Sequence, residues 1–421
     1  MNERHSAVAA AQGWRPTEAK NDPCVRSPSN ALPGAHIAVH SDLKAVGKLW
    51  REFERRALRT VFQSADYLGA WQDHIGSRGR TTAAIVVIEN RQGVQAILPL
   101  AVEDLGFIRR LAWLGQDLCD YLAPLMSEEF ARIVPPRFRA LWQEIGRIMQ
   151  SDPRFRHDWV ELRKMPAWIE SHKNPFAALP ALPHPSPGHV ASLPENWDEF
   201  YRQRRTSKAR KQDRSKLARL SEFGDVSLYE PSDPAEIVRL LDTLFVQKAD
   251  ALQRKGVADL FGRPGHREFF LDLAGNVRLH DIVHVSALTA GPSLAAVALG
   301  MEFKGRYSLF LVSYDRAFAR LSPGVIHLNK LLGRAIERRL REFDFLVGEQ
   351  RLKLEWTDSE IELLDHIAAS TLRGMIPAFI ARTLTLAKHT VKQTPWMWSG
   401  FLTLRATASR FRYRRKDQAV D

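Results

Sequence analysis

The sequence is poor in cysteine and has no long apolar run. Cys24 and Cys119 are the only cysteines among 421 residues, which excludes a disulfide framework and a cysteine zinc site and favours a reducing cytoplasm. No run of about 18 uncharged apolar residues occurs, so no membrane-spanning helix is expected. Residues 1–35 lack the apolar segment of a secretory signal and are interpreted as a disordered leader.

Acidic residues are missing from one long segment near the end of the chain. Ten Lys and Arg residues lie between Thr371 and Lys416 without one Asp or Glu, and nine lie between Arg202 and Arg219 against Asp213 alone. The formal net charge of +13 therefore resides in two segments. Basic segments attract the phosphates of lipids, nucleic acids or nucleotides, and charge alone does not choose among these partners.

A repeated pattern of elements predicts the fold class. The hydrophobic content of 45% is that of a globular protein, and the length suits two domains. A strand, two helices and a hairpin are predicted within 36–102 and again within 226–303. We therefore expect a mixed α/β protein with two copies of one fold, each a central mixed sheet flanked by helices. The predicted parts are an N-terminal domain (36–173), a proline-rich linker (174–198), a basic helix (199–224), a C-terminal domain (225–370) and a basic amphipathic tail (371–421).

The segment from Tyr307 to Trp356 is the most informative for chemistry. A strand leads into a loop with Arg316 and Arg320, and Ser322-Pro323-Gly324 then opens a helix, with the serine predicted as its N-cap. Unpaired N–H groups and the helix dipole favour an anion at such a helix start. Capped strand-to-helix turns also occur where nothing binds, so phosphate binding and a purely structural turn both stay open on these residues alone.

The order of these motifs resembles the GNAT acyltransferases of the CelD-like branch, which are related to the FemAB-type double-GNAT proteins. The resemblance covers about 37–370 and is carried by a set of short motifs. These are Phe62-Gln63-Ser64 before Trp71, Leu98-Pro99-Leu100, Trp113-Leu114-Gly115, Asp120-Tyr121, Ser322-Pro323-Gly324, Phe343-Asp344-Phe345, Gly348-Glu349 and Lys353-x-x-Trp356. It implies a tandem GNAT fold, an acyl donor such as acetyl-CoA or another acyl-CoA, and a link to cellulose or other exopolysaccharide production.

The resemblance also implies where the donor binds. In GNAT folds the pantetheine arm lies between two parallel strands that splay apart, which would here be 310–313 and 343–347. The donor-binding residues implied are Leu311, Val312, Arg316, Arg320, Ser322 and Gly324. The usual loop Arg/Gln-x-x-Gly-x-Gly/Ala is changed, because Gly324 is the single glycine between 316 and 324. Fewer N–H groups can therefore approach the pyrophosphate.

Acyl transfer requires a base for the acceptor and an acid for the leaving group. The candidate bases are Asp344 and Glu349, and Tyr314 is the candidate acid; a structural carboxylate is the alternative for Asp344. The candidate substrate-binding residues are Asp120, Tyr121 and Lys353, for which a polar turn and a solvated lysine are the alternatives. Trp356 is expected in the core. No third ligand accompanies His280 and His284, so no metal site is expected.

Three functions compete. The first is an acyl-CoA-dependent transferase acting on an amine or hydroxyl of a small molecule or polysaccharide precursor. The second is an aminoacyl-tRNA-dependent transferase on a cell-wall precursor, which the cations of 202–219 favour. The third is a non-catalytic assembly factor of a polysaccharide synthase, which the glycine-poor loop and the tail favour.

The two basic segments set the expected partners. The cations of 202–219 have only Tyr201 as an aromatic neighbour, which argues against a nucleic-acid platform. The tail 371–416 mixes apolar residues with cations, and this predicts either contact with an anionic membrane surface or docking onto the protein itself. The expected location is therefore the cytoplasm, with the tail at the inner face of the membrane.

Overall fold

The structure, a computed structural model, describes residues 24–394 apart from 117, 255, 256, 258, 260, 349 and 350. Candidate base Glu349 and residues 395–421 therefore lie outside the described residues. The helices are α1 (Leu43–Glu54), α2 (Ala65–His74), α3 (Glu128–Ile133), α4 (Phe138–Ser151), α5 (Trp197–Arg204), α6 (Ser207–Leu220), α7 (Pro234–Arg254), α8 (His266–Gly275), α9 (Pro323–Glu337), α10 (Arg351–Leu354) and α11 (Met375–Gln393).

The strands form two large sheets and one small hairpin. They are β1 (Val25–Pro28), β2 (His36–His40), β3 (Thr81–Asn90), β4 (Gly93–Asp104), β5 (Arg109–Trp113), β6 (Leu125–Met126), β7 (Trp159–Pro166), β8 (Trp168–Ile169), β9 (His172–Lys173), β10 (Leu182–Pro183), β11 (Gly188–Ser192), β12 (Val226–Tyr229), β13 (Val283–Ala290), β14 (Ser293–Phe303), β15 (Arg306–Tyr314), β16 (Glu342–Val347), β17 (Ser359–Ile361) and β18 (Leu363–Ala369). The first sheet has the order β1-β2-β3-β4-β5-β7-β18-β10, with β6 on β4, and the second has the order β12-β13-β14-β15-β16-β11-β17.

The two halves repeat one arrangement. The series β2, α1, α2, β3, β4, β5 in the first half corresponds to β12, α7, α8, β13, β14, β15 in the second. In each half the last strand of this series pairs in parallel with the strand that follows the next long helix, β7 after α4 and β16 after α9. The predicted mixed α/β fold in two copies is confirmed.

Each sheet also contains a strand from outside its own repeat. β18 follows the second repeat along the chain, yet it pairs with β7 in the first sheet. β11 precedes the second repeat and lies between β16 and β17 in the second sheet. The predicted proline-rich linker 174–198 therefore contributes a strand to the second sheet, because its prolines flank β11 without interrupting it. The C-terminal domain predicted as 225–370 likewise gives its last strand to the first sheet.

The ends of the described chain also differ from the expectation. β1 lies within the predicted leader 1–35, pairs antiparallel with β2 and so extends the edge of the first sheet. α11 lies within the predicted tail and contacts β7, β10 and β18. Docking onto the protein itself is therefore confirmed for this helix. None of the described helices combines the length and the apolar character that crossing a bilayer requires.

The two halves share one hydrophobic core. The largest cluster of buried side chains includes residues of both sheets, such as Leu98 of β4 and Leu299 of β14. Aromatic rings pack directly across the boundary, with centroid distances of 5.3 Å for Tyr67 and Phe269 and 5.9 Å for Phe62 and Phe310. The halves are thus held by packing, and the space between them has fixed walls.

Candidate active site

Strands β15 and β16 separate soon after they begin to pair. Their parallel register covers Arg306 to Ser308 against Glu342 to Asp344. β15 then continues to Tyr314 and β16 to Val347. The predicted opening between 310–313 and 343–347 is therefore present.

Both strands are irregular where they separate. β15 has one residue more than β14 between the pairs Leu299↔Leu311 and Gly300↔Leu309, and β16 has a bulge against β11. Between the pairs Val190↔Asp344 and Gly188↔Val347, β16 has one residue more than β11. Leu346 occupies the left-handed region with φ 60°, which is strained for leucine. Its N–H donates to Asp344 Oδ1 at 2.7 Å, so the carboxylate holds the bulge in place. Because a bulge bends its strand, it turns the end of β16 away from β15.

A cavity of about 210 Å³ lies where the strands separate. Most of its lining residues are apolar and come from β15, β16 and α9, while polar atoms contribute about half of the exposed wall. The lining residues are Leu309, Phe310, Val312, Gly324, Leu328, Phe345, Leu346, Val347, Asp120, Lys248 and Lys353. An apolar cleft with a few convergent polar groups is typical of a small-molecule site.

Two lysines occupy the hydrogen-bonding positions that the separation leaves free. Lys248 Nζ of α7 donates to the carbonyl oxygen of Val312 at 3.0 Å, and Lys353 Nζ donates to that of Val347 at 3.2 Å. Burial lowers the pKa of Lys353 from its ordinary value. The two amines therefore lie on the same cavity, one bonded to β15 and the other to β16. There they can stabilise negative charge that develops between them.

Asp120 brings a carboxylate from the first half to this cavity. It follows β5 in the chain, and its Oδ1 lies 3.7 Å from Lys164 Nζ. Its side chain is 25% exposed, so the carboxylate stays accessible. The structure thus places two predicted substrate-binding residues, Asp120 and Lys353, on the same cavity.

Tyr121 and Asp344 meet beneath the cavity wall. The Tyr121 hydroxyl donates to Asp344 Oδ1 at 2.9 Å, and Arg306 Nη1 donates to Oδ2 at 3.4 Å. Asp344 is fully buried, and burial raises its pKa to about 6 and the pKa of Tyr121 well above its usual value. Both carboxylate oxygens are engaged, and neither residue lines the cavity. The contacts of Asp344 are therefore those of a structural carboxylate, which was the alternative to a catalytic base. Tyr121 links the two halves through its hydrogen bond to Asp344.

The predicted donor loop reaches the cavity at Gly324, which is one of its lining residues. Arg316 and Arg320 lie in a 3₁₀ segment, Arg316–Leu321, with both side chains exposed. Tyr314 is 46% exposed, and its ring lies beside Gly324, 3.6 Å from the position a Cβ would take there. The loop thus combines two exposed cations with an aromatic ring, while Gly324 leaves the helix start open.

The expected capping role of Ser322 is wrong. Its backbone is left-handed, with φ 51° and ψ 53°, and its side chain makes no capping hydrogen bond to α9. An N-cap hydroxyl needs an extended backbone to reach the first turn, so this conformation directs it elsewhere. The Ser322 oxygen accepts a hydrogen bond of 2.8 Å from Lys216 Nζ of α6.

Leu311, also predicted at the donor site, packs against the main core instead of lining the cavity.

The equivalent opening in the first half is closed. Strands β5 and β7 pair in parallel over only two positions, but the segment that follows β5 returns to β7, where the Leu122 N–H donates to the Lys164 carbonyl at 3.1 Å. The rings of Trp113 and Phe176 pack behind it at 5.2 Å. Only the second half therefore presents an open cleft between its parallel strands among the residues described.

The role of Trp356 was predicted from the sequence, whereas that of Lys248 was not. Trp356 is fully buried and stacks near Trp197 and Tyr201, as expected for a core residue. Lys248 was not predicted at the site. No local pattern marks it, because its approach to Val312 depends on how α7 packs against β15.

Across the part of the chain that is described, no group of three or more histidine, cysteine or carboxylate side chains is arranged to hold a metal.

Two copies of a mixed α/β unit, the second with a cleft between splayed parallel strands, define a tandem GNAT fold. In agreement, the sequence model of a family described as "Acetyltransferase (GNAT) domain" matches residues 207–354. Among solved structures, FemX superposes with a TM-score of 0.52 at 10% identity, over 76% of this chain and 96% of that chain. This likeness concerns the fold.

Two other solved structures are less similar. They are L-PGS from Bacillus licheniformis (TM-score 0.48, 11% identity, 80% of this chain and 96% of that chain) and a tandem GNAT protein from the clavulanic acid biosynthesis pathway (TM-score 0.41, 11% identity, 83% and 99%). No curated protein sequence matches the chain.

Proposed function

We propose that the chain is an acyltransferase that binds its donor between β15 and β16 and transfers the acyl group to an amine or hydroxyl. The observation that carries this proposal is the cavity at the strand separation, with Lys248, Lys353 and Asp120 on its wall. Apolar walls suit a flexible acyl carrier, and the three charged groups suit the reaction at its end.

The cavity residues divide the chemistry among them. The acceptor attacks the acyl carbonyl, and the carbonyl oxygen gains negative charge as the tetrahedral intermediate forms. Lys353 and Lys248 stabilise this oxygen, since ammonium groups in a partly dry site interact strongly with nearby charge. Asp120 accepts the proton from the acceptor, which is then held between the two halves. Collapse of the intermediate breaks the bond to the carrier and completes direct transfer, which depends on positioning.

An acyl-CoA is the donor that the sequence and the predicted donor loop favour. The first turn of α9 leaves N–H groups free, and Arg316 and Arg320 are exposed beside it. These groups would hold the phosphates of the donor. The support for an acceptor that is a precursor of cellulose or another exopolysaccharide is the resemblance of the sequence motifs to the CelD-like branch.

Calorimetry and a thiol-release assay test this proposal. The chain should bind acetyl-CoA or a longer acyl-CoA saturably. Lys353→Gln should weaken turnover about 100-fold, the size expected for the loss of one charge-stabilising donor. Lys44→Gln is the matched control, because Lys44 is exposed on α1 in the first half, and it should leave turnover unchanged. Absence of binding by every acyl-CoA tested would overturn the acyl-CoA donor.

An aminoacyl-tRNA donor is the second candidate, and α6 is the observation that favours it. Its side chains Lys208, Lys211, Arg214 and Arg219 are exposed, and Lys216 contacts Ser322 at the start of α9. A cationic face thus reaches the predicted donor loop. Binding to tRNA that weakens steeply with salt, without binding of any acyl-CoA, would select this donor. Binding of neither would favour the non-catalytic assembly factor.

A further inference from the structure

Helix α11 has its large apolar side chains on the outside. Its buried face consists of small residues, Ala378, Ala381 and Thr385, which pack on the first sheet beside Trp159 and Ile367. In an ordinary surface helix the large apolar residues face the core and the polar ones face water. The reverse arrangement in α11 needs a partner for the outer face.

The outer face is apolar over about half of the helix circumference. Seven large apolar side chains are between 45% and 86% exposed: Leu372, Met375, Ile376, Phe379, Ile380, Leu384 and Leu386. Six of them belong to α11 and, at about 100° per residue, lie opposite the buried face, while Leu372 lies in the turn just before the helix. We call these seven residues the outer apolar face. A contiguous exposed patch of this kind marks a surface that binds a membrane or another protein.

The charge of the chain segment that carries the outer apolar face has a single sign. Arg373 and Lys388 are exposed and lie at its border, and no acidic residue occurs between Thr371 and Lys416. The chain beyond residue 394 continues with six more cations before Asp417, together with Trp396, Trp398 and Phe401. Cations beside apolar residues are the composition of a helix that lies in the interface of an anionic bilayer.

We propose that α11 binds the surface of an anionic lipid bilayer. The helix lies parallel to the bilayer, with the outer apolar face about 5–10 Å into the boundary between headgroups and acyl chains. Arg373 and Lys388 contact the lipid phosphates at the level of the headgroups. None of the residues of α11 lines the cavity, so this binding does not depend on acyl transfer.

Two other occupants of this face are less compatible with its charge. A second copy of the chain, paired through α11, would bring two cationic borders together without a carboxylate between Thr371 and Lys416 to pair with them. Residues 395–416 of the same chain add six cations and no carboxylate, and like charges in close contact repel. An anionic lipid surface neutralises both the helix and the segment that follows it.

Co-sedimentation of the full chain with lipid vesicles tests this proposal. Vesicles of phosphatidylglycerol and phosphatidylcholine should bind the chain, and vesicles of phosphatidylcholine alone should bind it much more weakly. The double variant Ile376→Ser/Phe379→Ser should reduce the partition coefficient at least about tenfold, because each side chain loses its transfer into the apolar layer. The double variant Val246→Ser/Val277→Ser is the matched control, and it should bind like the parent. These side chains are 71% and 88% exposed and lie in the second half, whereas α11 packs on the first sheet.

A charge variant and the oligomeric state complete the test. Arg373→Gln/Lys388→Gln should weaken binding to the anionic vesicles and leave the residual binding to neutral vesicles unchanged. Equal vesicle binding by the parent and the Ile376→Ser/Phe379→Ser variant would overturn the proposal, provided that both melt at similar temperatures. A parent dimer in light scattering that becomes monomeric in this variant, without vesicle binding by either, would assign the face to a second copy.

Discussion

The hydroxyl of Tyr121 and the carboxylate of Asp344 form a hydrogen bond of 2.9 Å between residues 223 positions apart in the chain. The same carboxylate oxygen accepts the Leu346 N–H that maintains the bulge of β16. One buried group therefore joins the two halves and also holds the cleft open. Because Asp120 precedes Tyr121 directly, the bond also fixes the carboxylate that the first half contributes to the cavity.

Replacing Tyr121 by phenylalanine removes this donor from a buried carboxylate. We expect Tyr121→Phe to lower the free energy of unfolding by about 1–3 kcal/mol near neutral pH, the cost of leaving a buried charged group short of a partner. Urea unfolding measures the change. Tyr229→Phe is the control, because the Tyr229 hydroxyl bonds Glu236 at an exposed position, and it should change stability by less than about 0.5 kcal/mol. Equal effects of the two substitutions would contradict a stabilising role for the buried hydrogen bond between Tyr121 and Asp344.

Gly188 of β11 leaves room for the Tyr121 hydroxyl. A Cβ at this position would lie 2.2 Å from the hydroxyl oxygen of Tyr121, so Gly188→Ala should destabilise the protein by about 1–3 kcal/mol through overpacking. Part of this loss should disappear when Tyr121→Phe is also present, and a double-mutant cycle measures that coupling. Gly146→Ala is the control in helix α4, where a Cβ meets no neighbour within 4 Å. It should raise stability by a few tenths to about 1 kcal/mol. A strictly additive cycle would contradict the predicted contact.

The raised pKa of Asp344 predicts a pH dependence of stability. Its pKa is about 6 in the folded protein and about 3.9 in an unfolded chain, so the native state binds the proton more tightly. The stabilisation is therefore complete below about pH 4 and is lost as the pH rises through 6. Relative to Asp344→Asn, the free energy of unfolding of the parent should fall by up to about 3 kcal/mol between pH 4 and pH 7. A difference that stays constant over this range, in denaturation series at each pH, would show that folding does not raise the pKa of this carboxyl.

A substitution at Gly324 tests the proposed binding of the donor phosphates and leaves Lys248 and Lys353 unchanged. Gly324→Glu places a carboxylate at the open start of α9, where it would repel the phosphates of an acyl-CoA. We expect affinity for CoA to fall about tenfold or more in calorimetry, and Arg316→Ala to cost less because an exposed cation is screened. Gly146→Glu serves as the control, because it adds the same charge to a helix far along the chain from the cavity. Unchanged CoA binding by Gly324→Glu would show that the phosphates lie elsewhere.

Local patterns predicted the elements better than their pairing. The strand, two helices and hairpin predicted within 36–102 and within 226–303 are present, and α9 begins at Pro323 as predicted. Periodicity, turn residues and proline act within a few positions, so local patterns suffice for these elements. The resemblance to GNAT proteins led to the opening between β15 and β16. The exchange of β11 and β18 was missed, since short strands are placed by tertiary contacts that no local pattern encodes.

In the candidate site, too, residues in local motifs were predicted and residues placed by tertiary packing were missed. Asp120 and Lys353 were marked by motifs, and the structure brings both to the cavity. Lys248 was not marked, because a lysine in the middle of a long helix has no distinctive neighbours in the sequence. The left-handed backbone of Ser322 was also missed, since serine seldom adopts it and the adjacent Pro323 suggested an ordinary helix start.

The strand exchange determines when the first sheet can be completed during synthesis. β7 ends at Pro166 and its partner β18 begins at Leu363, so nearly 200 residues must be added before the two can pair. At about 5–20 residues per second this takes roughly 10–40 s on the ribosome. During that time one side of β7 presents an unpaired edge, which is the kind of surface that recruits other strands. Recovery of the protein from cells should therefore depend on chaperones that shield nascent chains more than its native stability alone would suggest.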